Sequence, residues 1–277
     1  MRFQIFFELE RGQVLPINYQ YELSSWIYKV IDRADKDYAE FLHKEGYGNF
    51  LKRNYKLFTF SRLNFPYKKW RRIEDRIKFY TNKGRITLSC TFSFFIDKGA
   101  ESFVMGLFQD QKFRLGDQLN QIDLSVQRVE ARPVTVSHNK VHIKTLSPIL
   151  ISRPKIKENG KLGADYLDPE KHEDYAHYFL KNLESKYLSA MQAKGMPLKE
   201  LDTSDWQFEL LGKARSNLIT LKRHTSAQTK IRPFMYTFSL KAPIPVIEFG
   251  LHAGFGEETS QGLGCGEVVE NVNNLKR

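Results

Sequence analysis

A chain of 277 residues is long enough for one large domain or two small ones, each burying its own core. Lys and Arg total 43 against 32 for Asp and Glu, a net charge of +11 with a sequence pI near 9.4, which favours a polyanionic partner, nucleic acid before an anionic membrane. No apolar run approaches a spanning helix, so no membrane is expected; Cys90 and Cys265 lie far apart without metal-site spacing and fit a reducing, cytoplasmic setting.

Phe3, Ile5, Phe7 and Leu9 alternate, so the N-terminus reads as a strand and not as a signal peptide. Leu23, Ile27, Val30, Ile31 and Ala34 then recur at three- and four-residue steps, the stripe of a helix packed on a sheet. A second helical piece carries Tyr38, Phe41 and Leu42 and stops near His43 to Gly46. Lys56 to Ser61 reads as the next strand, and the run Tyr67 to Arg72 mixes bases with aromatics. Arg85 to Ile96 is a long strand, Ala100 to Phe108 a short helix, and Phe113 to Arg132 a closing strand or hairpin. Strand, helix, strand, strand, helix, strand is the order of a ferredoxin-like unit, which RNA-recognition modules also use.

A turn at residues 137–140 restarts the pattern. Val141 to Leu146 is a strand whose continuation, Ser147 to Ser152, is bent by Pro148. Residues 154–168, rich in Lys, Gly and Asp, read as a surface loop, and Glu170 to Ala193 as the longest helix. Trp206 to Leu210 and Pro233 to Leu240 read as strands, Val246 to Leu251 as a helix and Glu267 to Val269 as the last strand. The expected fold is α+β: tandem ferredoxin-like (RRM-like) domains, residues 1–136 and 137–277, with a C-terminal glycine-rich loop.

That loop, His252 to Gly266, holds five of the seventeen glycines. Bare amides in such a loop form concave anion sites, and a glycine-rich hairpin with a bulge explains the spacing equally well. It is not a P-loop, because no Gly-Lys-Ser/Thr ends it. Gly254, Gly256, Gly262 and Gly264, with Glu257 to Ser260 between them, resemble the G-x-G-x(5)-G-x-G loop of the CRISPR-associated endoribonucleases that cut precursor CRISPR RNA within its repeats, the sixth Cas protein family of the RAMP superfamily. Cys265-Gly266 departs from the bulkier apolar pair common in that family.

The seven histidines show no metal-ligand spacing; His172 and His177, five apart, read as helix-surface residues. His43 taken alone reads as a solvated histidine at a helix end. The resemblance implies more. The family places a Leu-His pair late in the first helical region, then a lysine directly before a Leu-Phe-Thr-aromatic-Ser strand, and an aromatic hydroxyl about four turns earlier. Leu42-His43, Lys56 to Ser61 and Tyr28 match those positions. The implied activity is a metal-independent endoribonuclease without cofactor, leaving 5′-hydroxyl and cyclic or 3′ phosphate ends. His43 would be the general acid or base, Tyr28 its partner at the 2′-hydroxyl, and Lys56 the cation at the phosphate, with Lys52 or Arg53 as substitutes.

RNA contacts are expected from two basic groups, Lys68, Lys69, Arg71 and Arg72 in the first half and Lys213, Arg215, Lys222, Arg223, Lys230 and Arg232 in the second, together with the four loop glycines and the groove between domains. Tyr67 and Trp70 read either as base-stacking platforms or as core, with core favoured. The implied partners are CRISPR repeat RNA and effector-complex subunits, with the chain as monomer or homodimer. The competing reading is a noncatalytic RNA-binding subunit on the same fold; a duplex-DNA binder is remoter, since no helix-turn-helix or zinc module is recognisable.

Overall fold

In the first half, the strand Arg2–Arg11 turns Ile5 and Phe7 into the core and pairs on both sides. The computed structural model describes residues 1–48, 54–80, 82, 84–156, 160–197, 201–221 and 228–270. The sheet runs, in spatial order, Phe58–Phe60, Thr87–Phe94, Arg2–Arg11, Gln121–Ala131 and Lys112–Gly116, with every pair antiparallel. Two helices cover one face, α1 (Gln20–Ala34) and α3 (Asp97–Gln109), separated in sequence by α2 (Lys36–Lys44). The apolar stripe read from α1 is the buried one: Leu23, Trp26, Ile27, Val30 and Ile31 pack on Phe7, Phe92 and Phe103. Trp26 stacks on Phe113 at 4.1 Å.

The second half repeats the plan. Its sheet runs Gln207–Ser216, Phe234–Lys241, Lys140–Thr145 and Gly266–Val268, again antiparallel, covered by α4 (Tyr175–Ala193) and α5 (Ile244–Ala253). Tyr175, Phe179 and Leu183 of α4 meet Phe238, Phe249 and Phe255 in a second core. The chain is thus α+β with antiparallel sheets, consistent with a ferredoxin-like architecture.

Buried hydrogen bonds cross from one half to the other. Arg2 donates to the Gly266 carbonyl at 2.7 Å, Ser24 to that of Ser260 at 2.7 Å, Thr59 to that of Leu263 at 2.7 Å and Ser93 to that of Leu251 at 3.2 Å. Each such bond contributes about 0.5–1.5 kcal/mol net, and losing one partner leaves a buried polar group unpaired at greater cost. Leu57, from the first half, lies in the second half's core.

Three expectations need correction. Residues 154–168 are not a loop: Ser152–Ile156 and Leu162–Tyr166 form an antiparallel ribbon, held by Arg153 to Asp165 at 3.0 Å and to Asp174 at 2.7 Å. Much of this ribbon is exposed, so it needs no apolar alternation and its composition resembles a loop's. The long helix starts at Tyr175, five residues late, because the Asp168 amide donates to Nδ1 of His172 at 2.8 Å and holds a turn there; His172 therefore precedes the helix, while His177 is exposed on it. The Tyr67 to Arg72 run belongs to a hairpin, Trp70–Ile73 with Arg76–Phe79, extended by Val14–Pro16. Among the described residues no helix is long and apolar enough to cross a membrane.

Candidate active site

α2 closes when the amides of Glu45 and Gly46 both donate to the Phe41 carbonyl, at 2.9 and 2.8 Å, with Gly46 at φ +71. That leaves His43 exposed in the last turn. A Cβ at Gly46 would sit 2.7 Å from the Tyr55 carbonyl oxygen and 2.9 Å from Cδ of Lys56, so only glycine lets this segment approach the helix end. Lys56 uses the approach: its Nζ donates to the His43 carbonyl at 3.2 Å. Tyr28, from α1, stands edge-on to the His43 ring, with centroids 5.8 Å apart. A cavity of about 390 Å³ opens over Tyr28 and His43, with Lys36 and Lys44 as well as Asp32 and Glu40 in its lining. Gly46→Ala is expected to push Lys56 away from the His43 carbonyl and to lower Tm; an unchanged Tm would show that the segment relaxes freely.

Burial pushes the Tyr28 phenol up to about 12; a hydrogen bond from Ser260 opposes the shift and the charge of Glu258 adds to it. The phenol therefore keeps its proton at neutral pH and serves as a donor. Burial also lowers the Lys56 ammonium from the ordinary lysine value, while Glu258 and Glu45 push it back up. Glu258 thus acts on both Tyr28 and Lys56, from a residue in the left-handed region, φ +53. Glu258 and Ser260 read in the sequence as part of the glycine motif, with no role of their own. The signal was the glycine motif itself, which carries them to the first half.

The four glycines are not an open cradle. Gly254, Gly256, Gly262 and Gly264 are buried, and the amides of Gly254, Gly262 and Gly264 donate to carbonyls of Gly250, Thr259 and Pro148. Cβ atoms at Gly254 and Gly262 would meet Thr59 at 2.8 Å and Phe60 at 2.5 Å, so these glycines let the loop press against the first sheet. Lys186 of α4 supports the loop from below: it is 1% exposed and donates to the carbonyls of Gly254 at 2.6 Å and Gly256 at 3.0 Å. Sequence reading missed it, although it falls on the apolar stripe Phe179, Leu183, Lys186, Ala190.

Burial lowers the Lys186 ammonium from 10.5 to about 7, with Glu257 opposing. Between those values the unfolded chain binds more protons than the folded one, so this group's contribution to stability is fullest above pH 10.5 and is lost as pH falls through about 7. Denaturant melts at pH 6.5 and 9 should show stability rising relative to Lys186→Met; parallel pH trends in the two proteins would refute the assignment.

The first basic group lies on the Trp70–Ile73 hairpin, with Lys68, Arg71 and Arg72 exposed and Lys69 donating to the Arg85 carbonyl at 2.5 Å. Trp70 packs into the core beside Phe65 at 5.1 Å, whereas Tyr67 is 84% exposed. In the second half, Lys213, Arg215, Lys230 and Arg232 are exposed. The ribbon Ile219–Leu221 with Thr229–Ile231 is pinned to the glycine loop by Ile219, Ile231, Leu150 and Leu263. Lys52, Arg53, Lys222 and Arg223 lie outside the described residues. Between the halves opens a cleft of about 890 Å³ with Arg2, Arg62, Arg132 and Lys144 in its lining and Glu267 and Glu270 at one part. Arg62 donates across it to Asn217 at 2.7 Å. Among the described residues no group of three His, Cys, Asp or Glu is placed to hold a metal ion.

Two antiparallel-sheet halves, basic ribbons and a tyrosine, histidine and lysine gathered beside a buried glycine loop define an α+β protein of the polyanion-binding class. The sequence matches the family described as CRISPR-associated protein Cas6, N-terminal, over residues 14–130 and CRISPR associated protein Cas6, C-terminal, over residues 130–268. The chain belongs to the Cas6 family. It is 29% identical over 273 residues to CRISPR-associated endoribonuclease Cas6 1 of Methanocaldococcus jannaschii, covering 99% of this chain and 94% of that one. It is 26% identical over 270 residues to a CRISPR-associated endoribonuclease-like protein Cas6 of Pyrococcus furiosus, covering 95% of each. A solved structure of a CRISPR associated protein Cas6 superimposes with TM-score 0.73 at 27% identity, covering 98% of this chain and 99% of that one. A RAMP protein binding different RNA substrates shares the fold, with TM-score 0.76 at 22% identity over 98% of this chain and all of that one.

Proposed function

We propose that the chain is an endoribonuclease that cuts CRISPR repeat transcripts through its own side chains, with the ribose 2′-hydroxyl as nucleophile. The observation that carries this is the convergence of Tyr28 from α1, His43 from α2 and Lys56 from the connection before Phe58–Phe60, with Lys56 bonded to the His43 carbonyl and the Tyr28 ring against the His43 ring. The base removes the 2′-hydroxyl proton, the 2′ oxygen bonds to phosphorus, and the P–O5′ bond breaks. The acid protonates the leaving 5′ oxygen, giving a 2′,3′-cyclic phosphate and a 5′-hydroxyl. His43 serves as acid or base. The buried phenol of Tyr28 orients the 2′-hydroxyl by hydrogen bonding, and Lys56 neutralises charge on the phosphate, replacing its attraction to Glu258.

Residues 1–136 and 137–277 are read as tandem ferredoxin-like units. In both sheets the second, third, first and last strands in chain order lie side by side in that sequence, the first sheet adding Lys112–Gly116 at its edge, which supports this reading. Repeat RNA runs along their join, held by the two basic groups and the arginines of the cleft; effector-complex subunits are further partners. Removing Lys213, Arg215, Lys230 and Arg232 one at a time should weaken binding and reduce the slope of log affinity against log salt by about 0.7–0.9 for each phosphate no longer neutralised. A residue whose removal leaves the slope unchanged is off the RNA path.

The decisive experiment is cleavage of end-labelled repeat RNA in EDTA, with and without a 2′-deoxy substitution at the scissile position. Cutting of the all-ribose strand alone, with cyclic phosphate ends, is expected. Tight binding without cutting at any enzyme excess would favour the noncatalytic RNA-binding subunit.

A further inference from the structure

We propose that Lys186 is a positioning residue for RNA cleavage, fixing from the second half the glycine loop that is bonded to α1 one turn from Tyr28; the inference rests on the nuclease reading above. Three observations converge on it. Lys186 reaches out of the core of α4 and bonds two loop carbonyls, those of Gly254 and Gly256, that flank Phe255. Phe255 is fully buried between Phe179 and Phe238, so the entry arm of the loop cannot swing without breaking these bonds. The far side of the same loop is tied to the first half by Ser24, one turn before Tyr28 on α1, at the Ser260 carbonyl and by Thr59 at the Leu263 carbonyl.

Burying an ammonium is costly, and an apolar residue would pack against α5 and the sheet more cheaply. It would also leave two inward-facing carbonyls without donors. A lysine has the stem length and the number of N–H groups to satisfy both, at the start of the segment whose middle is bonded to α1 through Ser24. Its position, outside the cavity over His43, makes it a support and not a group that meets RNA.

The test is single-turnover cleavage at saturating repeat RNA, with Kd measured in parallel, for Lys186→Met and Lys186→Gln beside the intact protein and His43→Ala. Lys186→Met should cut about 10- to 100-fold more slowly with Kd within about twofold. Lys186→Gln, still able to donate to one carbonyl, should fall between it and the intact protein. Equal rates for all three, with His43→Ala inactive, would overturn the positioning role and leave the nuclease reading intact. An intact protein that binds without cutting would overturn both. Rate and affinity falling together would also overturn it, since that is the mark of a purely structural lysine. Should Lys186→Met fail to fold by circular dichroism, Lys186→Gln and Ser24→Ala decide: slower cutting at unchanged Kd supports the proposal, and an unchanged rate overturns it.

Discussion

Replacing His43 with alanine is expected to slow single-turnover cleavage of repeat RNA by about 10²–10⁴-fold, the usual contribution of a positioned acid or base. Affinity for the RNA should change by less than about twofold, because binding is spread over many phosphate contacts. The separation is expected because His43 sits exposed on the last turn of α2, where, among the described residues, its side chain makes no hydrogen bond and its ring stands edge-on to Tyr28. Its backbone carbonyl, which holds Lys56, survives the substitution. His43→Ala that cuts at the parental rate would remove His43 from the mechanism and turn attention to Lys56 and Tyr28. Loss of binding in the same variant would make the histidine a contact and not a catalyst.

Gly264→Ala is expected to destabilise the protein by about 3 kcal/mol or more, lowering Tm by roughly 6–12 °C. The residue has φ +76, and an added Cβ would lie 2.0 Å from the Phe255 carbonyl oxygen and 2.8 Å from its nitrogen. Phe255 cannot retreat, since its amide donates to the Gly264 carbonyl at 2.8 Å and its ring is locked in the second core. Gly195→Ala is the matched control: φ is +69, but nothing lies within 4 Å of the new atom, so only the backbone strain of about 1 kcal/mol applies. Equal melting temperatures for the two variants would show that the loop relaxes freely. Gly264→Ala should also cost cleavage, because the same loop is bonded to α1 at Ser24, one turn from Tyr28.

The periodicity of the sequence located most of the architecture. Leu23, Ile27, Val30 and Ile31 are buried at the spacing that identified their helix, and Phe58 to Phe60 forms a strand where Lys56 to Ser61 alternates. Boundaries failed where local hydrogen bonds decided them, as at His172 before α4. The ribbon Ser152–Ile156 with Leu162–Tyr166 failed because a pairing exposed on both sides imposes no apolar period. Lys186 was visible as a charge on an apolar stripe, but nothing along the chain says that its partners are carbonyls about seventy residues away.

By itself the sequence determined a basic α+β chain with two similar halves and a glycine motif too dense to be a linker. Local propensity, side-chain period and charge are properties of neighbouring residues, so they can be read in order. What only the tertiary structure decided is what the motif is for. The glycines let the loop press on the side chains of Thr59 and Phe60, and so seat its middle against α1 at Ser24, one turn from Tyr28. Close approach between segments some two hundred residues apart depends on how two cores dock, and no local pattern encodes that distance.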